Sequence, residues 1–356
     1  MNLAEREKGL LYELQRGVPL VERPFAVLGA ACGFAESDVI EFIRRLMEDG
    51  AARRFGAVFD ARRLGYRSVL CAVPVPGRQA LEGVALAVAA RSGVTHCYER
   101  GWQAELDAWG PGGPQGVEWP GLWFTFAVLR HEFDAEFAAL SRALRPFEVA
   151  AFPATRRFKI DVVFDTRTRD RDERVPIPAP DDPAGPVAEE AREFPSEERA
   201  AFRLLGGNLS LCPDLFSRPA AALGVAPADL LAMLRSWAAR GILRRIGLIV
   251  RSGPVGFKAN GMCVWTVPEG DVVRAGRALA ACPEVTHCYE RPPAPAFPYN
   301  LYAMIHGTDW PGARGLFERI SAAAGLTDGR MLCSLREFKK SSMRYFADEE
   351  QGSQKS

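Results

Sequence analysis

The sequence lacks most of the features from which a function is usually read. Its eight cysteines are scattered without a CxxC pair, which argues against a structural zinc and against a disulfide framework. No window approaches the ~20 apolar residues of a membrane span. The opening segment MNLAEREKGLLYELQRG is charged and amphipathic with no apolar leader core, so a soluble, cytoplasmic protein is expected. An excess of one charge is also missing: 45 Lys and Arg face 44 Asp and Glu. That balance gives no general grip on nucleic acid or membrane, and any basic site must be local. No Ser-His-Asp constellation, glycine-rich phosphate loop or metal cluster stands out. What remains is a chain of 356 residues, 48% hydrophobic, long enough for two or three ordinary domains.

Histidine is scarce too, yet two of the four histidines sit in one heptapeptide written twice, VTHCYER at 94–100 and again at 285–291. A shift of 191 residues also superposes Gly33 on Gly224, Gly50 on Gly241, Arg53 and Arg54 on Arg244 and Arg245, Gly56 on Gly247 and Gly65 on Gly256. The chain is therefore a duplicated module. A charged, proline-rich stretch without apolar periodicity reads as a linker over 166–194, and 347–356 reads as a disordered tail.

Each module divides in two. Residues 1–61 and 195–252 show apolar residues at three- and four-residue spacing, as in Val39, Phe42, Ile43 and Leu46, with glycine before the third helix; this predicts a helix-turn-helix with a following wing strand. Residues 62–165 and 253–346 alternate β-rich runs with Ala/Val-rich helices in the order βαββαβ, a ferredoxin-like arrangement. The fold class expected is α+β, a tandem repeat of winged helix-turn-helix plus ferredoxin-like domain. A DNA-reading third helix needs Arg, Lys, Asn or Gln in its first turns. Here those turns carry Glu36, Ser37, Asp38 and Glu41, or Pro227, Ala228, Asp229 and Leu230. A nucleic-acid partner is therefore not expected, and these domains are given a structural role in packing the modules together.

A helix-turn-helix followed by βαββαβ, with LGY at Leu64–Tyr66, resembles the Lrp/AsnC regulators. Within that superfamily the repeated THCYER, the PYNLYAMIHG of the second copy and the REFKK…RYF ending resemble siroheme decarboxylases, including fused two-module forms of heme d1 and alternative heme biosynthesis. The resemblance implies loss of the carboxyl groups of two acetate side chains, at C12 and C18 of siroheme, without a redox cofactor; the iron is the substrate's own. It also implies sheets that pair within the chain as a pseudo-dimer, and leaves a homo-oligomer or a further decarboxylase subunit open. A heme- or small-molecule-sensing regulator and a noncatalytic tetrapyrrole carrier are the alternatives.

Siroheme carries eight carboxylates around an apolar macrocycle, so its pocket needs basic groups at the rim and apolar faces inside. On a strand, alternation puts His96, Tyr98 and Arg100 on one face and Thr95, Cys97 and Glu99 on the other; His287, Tyr289 and Arg291 repeat the stripe. The blander reading is half-core His and Tyr with Arg paired to a nearby Glu. The second copy adds Tyr299, Asn300, Tyr302 and His306, set against Gly121, Leu122, Phe124 and Val128 in the first, which has a 13-residue insertion instead. Its Trp102 and Trp109 either cover a macrocycle or belong to a surface loop. His287 and His306 are the expected catalytic pair, one as proton donor, with Tyr289 as an alternative donor. Arg100, Arg291, Arg336, Lys339 and Lys159 are the expected carboxylate clamps, the two lysines alternatively being solvated strand charges. His96, Tyr98, Tyr299, Asn300 and Tyr302 are expected to line the substrate. Arg53, Arg54, Arg244 and Arg245 are read as structural.

Overall fold

The computed structural model describes residues 3–102, 121–167, 193–295 and 297–347. Trp109 and most of the expected linker and tail lie outside the described residues. In the first module α1 (Glu5–Arg16), α2 (Pro24–Cys32) and α3 (Glu36–Glu48) lead into β1 (Ala52–Phe59). The ferredoxin-like part follows as β2 (Tyr66–Val73), α4 (Arg78–Ala89), β3 (Val94–Trp102), β4 (Gly121–Leu129), α5 (Phe133–Ala143) and a broken last strand, β5 (Ala150–Phe152) and β6 (Arg156–Ile160). The second module repeats the order with α6 (Ser196–Leu205), α7 (Ser217–Ala222), α8 (Pro227–Ala239) and β7 (Leu243–Val250). Its second part is β8 (Ala259–Trp265), α9 (Val272–Ala281), β9 (Val285–Glu290), β10 (Leu301–Gly307), α10 (Trp310–Ala324) and β11 (Gly329–Lys340).

Local chemistry explains the boundaries. Proline opens α2, where a missing N–H costs nothing, and Gly33 closes it at φ 74°, a left-handed turn that other residues adopt at a cost. Helix α3 buries Val39, Ile40, Phe42, Ile43 and Leu46 on one stripe and leaves its acidic first turn outside.

The last strands depart from a simple pair of ferredoxin-like units. The strands follow the order β5-β2-β4-β3-β11-β8-β10-β9-β6 in one sheet. The first half of β11 pairs with β8 of its own module, and its second half crosses to β3, with Lys340 opposite His96. Likewise β5 pairs with β2, while β6 crosses to β9, with Ile160 opposite His287. Each heptapeptide strand is thus edged by the last strand of the other module, and because β5 and β6 follow one another the sheet returns on itself.

Helices cover the outer side of each half, with Cys71, Cys97 and Phe124 in one core and Cys263, Cys288 and Ile305 in the other. A third cluster lies between the halves and draws on both: Trp102, Trp123, Phe152, Phe297, Tyr299 and Tyr302. Both helix-turn-helix domains share a single core that also takes in Tyr66, Phe164, Tyr345 and Phe346. The expected packing role is visible there, since β1 pairs antiparallel with β7 and Gly56 lies opposite its own duplicate, Gly247.

Glycine is required at that crossing. A Cβ on Gly56 would lie 2.2 Å from the Gly207 carbonyl oxygen, and one on Gly247 2.6 Å from that of Leu14. Both obstacles are backbone. Gly56→Ala is expected to destabilise the fold by about 1–3 kcal/mol, the usual cost of overpacking, read as a lower urea midpoint with an unchanged slope. A midpoint equal to the parent's would mean that the ribbon separates more easily than this contact suggests.

Candidate active site between the modules

Strand alternation divides the heptapeptide as expected from the histidine onward, whereas the threonines, expected on the opposite face, have their hydroxyls against the His96 and His287 rings. Cys97 and Cys288 point into the helix-side cores, while Glu290 pairs with Arg156 at 2.8 Å and Glu99 pairs with Arg336. The inner faces carry the His-x-Tyr-x-Arg stripes. The His96 and Tyr98 rings stack at 6.3 Å, as do those of His287 and Tyr289. Arg100 lies 5.4 Å over Tyr98, and Arg291 lies 4.8 Å over Tyr289 and 5.6 Å from Tyr302. The bland reading fails on its key point, because neither Arg100 nor Arg291 is paired with the glutamate beside it.

His306 completes the second copy. The Thr286 hydroxyl lies 3.1 Å from Nδ1 of His287, 3.1 Å from Nε2 of His306 and 3.4 Å from the Met304 carbonyl, to which it donates. With the hydroxyl proton on the Met304 carbonyl, both rings donate to the same oxygen, and Nε2 of His287 and Nδ1 of His306 are then bare acceptors. Nδ1 of His306 is buried with no hydrogen-bond partner among the described residues. Phe164 packs edge-on against the His306 ring at 4.9 Å and is itself fixed by two backbone hydrogen bonds to the Gln15 amide, 2.8 and 3.0 Å. In the first copy Thr95 holds His96 at 3.0 Å. The strand registers set Asn260 opposite His306 and Ser68 opposite Ala127. The counterpart of His306 is therefore Ala127, one residue from the Val128 expected, and that of Tyr302 is Trp123. The first copy still lacks the second histidine.

All three imidazoles are held in the neutral form. Burial lowers His287 to about 4, with Arg244 and Arg291 adding to the effect. Burial lowers His96 to about 3, helped by Arg53, Lys340, His287 and Arg100, and His306 to about 3, helped by His287, Lys340 and Arg100. The influence of His287 on both His96 and His306 places the three in one electrostatic neighbourhood across the module boundary. Burial also lowers Arg100 to about 10, and its Nε and Nη1 atoms have no partner among the described residues. Arg291 donates to the Phe152 carbonyl, leaving its Nε unpartnered, and Tyr302 Oη is likewise buried and unpartnered. An interior with unpaired cations, neutral imidazoles and aromatic walls suits a large anion with an apolar body.

Four expected ligands lie elsewhere. The Asn300 amide is committed to the Val267 backbone, donating to its carbonyl at 2.7 Å and accepting from its N–H at 2.8 Å, so it shapes the approach to β10. Arg336 is engaged by Glu99 and, at 3.6 Å, by Glu82 of α4 on the helix side. Lys159 donates to the Cys282 carbonyl and Lys339 to that of Arg91, each at 2.8 Å. Bulges at 157/159 and 337/339 turn both lysines toward the helix layer. Tyr299 stays inside, edge-on to Phe297 at 4.8 Å, and Trp102 stacks on Phe297 at 5.9 Å.

Sequence reading missed Thr286, Phe164, Arg157, Lys340, Arg53 and Arg244. Asp60, buried on the first wing, takes Arg157 at 3.0 Å, Arg244 at 3.2 Å and Arg62 at 3.5 Å. Burial alone would raise its carboxyl, but Arg244, Arg62 and Arg157 together hold it below the usual range. Arg54 and Arg245 remain structural, donating to the Ala57 and Val162 carbonyls at 2.9 and 3.3 Å.

Comparison with known proteins bears directly on this site. Residues 63–159 and 254–339 match the AsnC-like ligand binding domain, and residues 7–53 match the siroheme decarboxylase NirDL-like HTH domain. A siroheme decarboxylase of Hydrogenobacter thermophilus is 33% identical over 96% of this chain and 95% of its own. The siroheme decarboxylase NirDL subunit of Paracoccus pantotrophus is 33% identical over 86% of each chain. The crystal structure of the siroheme decarboxylase NirDL superposes with a TM-score of 0.68 at 31% identity, covering 99% of this chain and 97% of that one; the same enzyme has been solved in complex with an iron-uroporphyrin III analogue. Shared domains, shared fold and identity along nearly the whole length agree, and the chain belongs to the siroheme decarboxylase family.

Proposed function

We propose that this chain is a carboxy-lyase that converts siroheme to its 12,18-didecarboxy product, using one interior site built by both modules. The observation that carries the reading is the buried Arg100, without a counter-ion among the described residues and close to the neutral His96 and His306, a charge pattern that a polycarboxylate completes.

The reaction breaks the bond between an acetate carboxyl and its methylene, sends the electron pair toward the ring, and ends when a proton converts the methylene to methyl. The protein must therefore strip water from the departing carboxylate and deliver a proton. Burial and the aromatic walls do the first. For the second, the substrate's own carboxylates raise the imidazole pKa values, so the bare nitrogens of the His287–Thr286–His306 group gain protons on binding and can return them to carbon. Tyr289 is held above its usual range by burial and is the poorer donor. Arg100 and Arg291 hold carboxylates that do not react. The iron enters with the substrate.

The same reading makes the chain a pseudo-dimer acting in the cytoplasm. The siroheme decarboxylase NirH subunit of Stutzerimonas stutzeri aligns over 42% of this chain and 92% of its own, about one module; the second half-site is here supplied in the same polypeptide. No described helix is long and apolar enough to cross a membrane. Nucleic acid has no place in the reading. Glu36 at the tip of α3 is paired with Arg23, and wing strand β1 is tied to β7.

Anaerobic incubation with siroheme, followed by mass spectrometry of the extracted tetrapyrrole, tests the proposal. Loss of two carboxyl groups as carbon dioxide is expected. Tight binding with no mass change would instead make the chain a carrier or sensor.

A further inference from the structure

The two halves of the site are not electrostatic copies of each other. In the second half the wing arginine, Arg244, has an acid, Asp60, at 3.2 Å. The duplicate of Arg244 is Arg53, but the duplicate of Asp60 under the same shift is Arg251. A cation therefore stands where the other half keeps its acid. Nε and Nη1 of Arg53 are buried and have no hydrogen-bond partner among the described residues. Burial lowers the proton affinity of Arg53 and of Lys340, Arg251 adds to the effect on both and Arg53 to that on Lys340, while an acid near them, Glu337, is 4.0 Å from the Lys340 amine. Lys340 pairs across the strands with His96, and Arg100, with its own unpartnered Nε and Nη1, lies over Tyr98 in the same half. Leaving buried guanidinium donors unmade is costly. Among the described residues, Arg53, Arg251 and Lys340 have Glu337 as the acid near them, which leaves room for negative charge brought from outside.

We propose that Arg53, with Lys340 and Arg251 beside it, is a carboxylate seat contributed by the first wing, holding one side-chain carboxylate of the bound tetrapyrrole. The inference rests on the tetrapyrrole reading given above and adds a division of labour to it. The half that pairs its wing arginine with Asp60 holds the two-histidine group, and the half that leaves its wing arginine open grips the ligand. The wing, which in a regulator would approach nucleic acid, here reaches the substrate.

The test is a spectrophotometric titration of the full chain with iron-uroporphyrin III, an eight-carboxylate probe that does not depend on turnover, together with melting of the ligand-free protein. Arg53→Met is expected to weaken binding about 10- to 100-fold, the range for a lost charge-assisted hydrogen bond, while the ligand-free melting temperature stays level or rises. Arg251→Asp keeps Arg53 but gives it the acid that Asp60 gives Arg244, and is expected to weaken binding similarly without lowering the melting temperature. If both variants bind the probe as the parent does, the seat is wrong and the tetrapyrrole reading stands. If the parent itself does not bind, both are wrong. A variant that melts earlier yet binds normally would make Arg53 a structural residue.

Discussion

His306→Ala is expected to lower siroheme decarboxylation by about 10²–10⁴-fold, the contribution of a positioned general acid, while iron-uroporphyrin III still binds. The size follows from what His306 does for its neighbour. One hydroxyl, Thr286, lies 3.1 Å from a nitrogen of each ring, so the two imidazoles share a single partner and their tautomers are coupled. Removing either ring frees the other to turn and to change tautomer. His287→Ala should therefore cost about as much, and the double variant little more than either single one, as for groups that act as a unit. Thr286→Val keeps both rings and removes the link, and should fall between parent and histidine variants. His96→Ala is the internal contrast, because Ala127 stands where its half would need a second imidazole. A smaller effect there, expressed mainly in KM, is expected. Equal losses at 96 and 306 would show that both halves react, and additive losses at 287 and 306 would show that the shared hydroxyl is incidental.

Much of this architecture could be read from the chain, and the parts that could not have physical reasons. The duplication, the helix spans and the face carrying His96, Tyr98 and Arg100 follow from periodicity, which depends only on local backbone geometry. Periodicity says which way a side chain points and nothing about which strand lies alongside. The exchange of last strands was therefore invisible, and with it the fate of the basic residues at 336–340 and 156–159. A bulge advances the alternation by one, so Lys340 and Arg157 face the interior where Lys339 and Lys159 had been expected. The counterpart of His306 differs by one residue for another reason: the offset between the copies falls from 191 at the heptapeptides to 179 at His306 and Ala127, so the first-copy insertion is 12 residues long and not 13. Asn300 looked like a ligand because amides often are; here its carbonyl and amino groups both serve one backbone segment. Arg53 and Arg244 are identical in sequence context and differ in what faces them, an acid or a third cation, which only the register of the duplication reveals.

Acid should unfold the ligand-free chain abruptly, and bound polycarboxylate should delay it. In the unfolded chain a histidine titrates near 6.5; in the fold His287 is lowered to about 4, and His96 and His306 to about 3. Between about pH 6.5 and about 4 the unfolded chain binds more protons than the folded one, so stability is fully present above this window and falls as pH drops through it. Each such histidine removes up to about 1.4 kcal/mol per pH unit, and three together approach about 4 kcal/mol per unit while all stay neutral in the fold. Two units of that slope consume most of the 5–15 kcal/mol that typically holds a domain together. The Asp60 cluster adds little in most of the window and begins to add to the loss only near its acid end, where the carboxyl of the unfolded chain, titrating at about 3.9, starts to take up protons while the folded one, held low by its arginines, does not. Ligand carboxylates reverse the sign of the histidine effect: they favour the imidazolium, so affinity for iron-uroporphyrin III should rise from pH 7.5 to pH 6 with net proton uptake. Urea melts at half-unit steps of pH would measure the slope, and calorimetry in buffers of different ionisation enthalpy would count the protons. His306→Phe, which keeps a ring beside Phe164 and removes the titration, should flatten the slope by about a third of its value. A midpoint that stays level from pH 7 to pH 5, or binding that releases protons, would mean that these imidazoles are already charged in the empty site and that the proton for carbon comes from elsewhere.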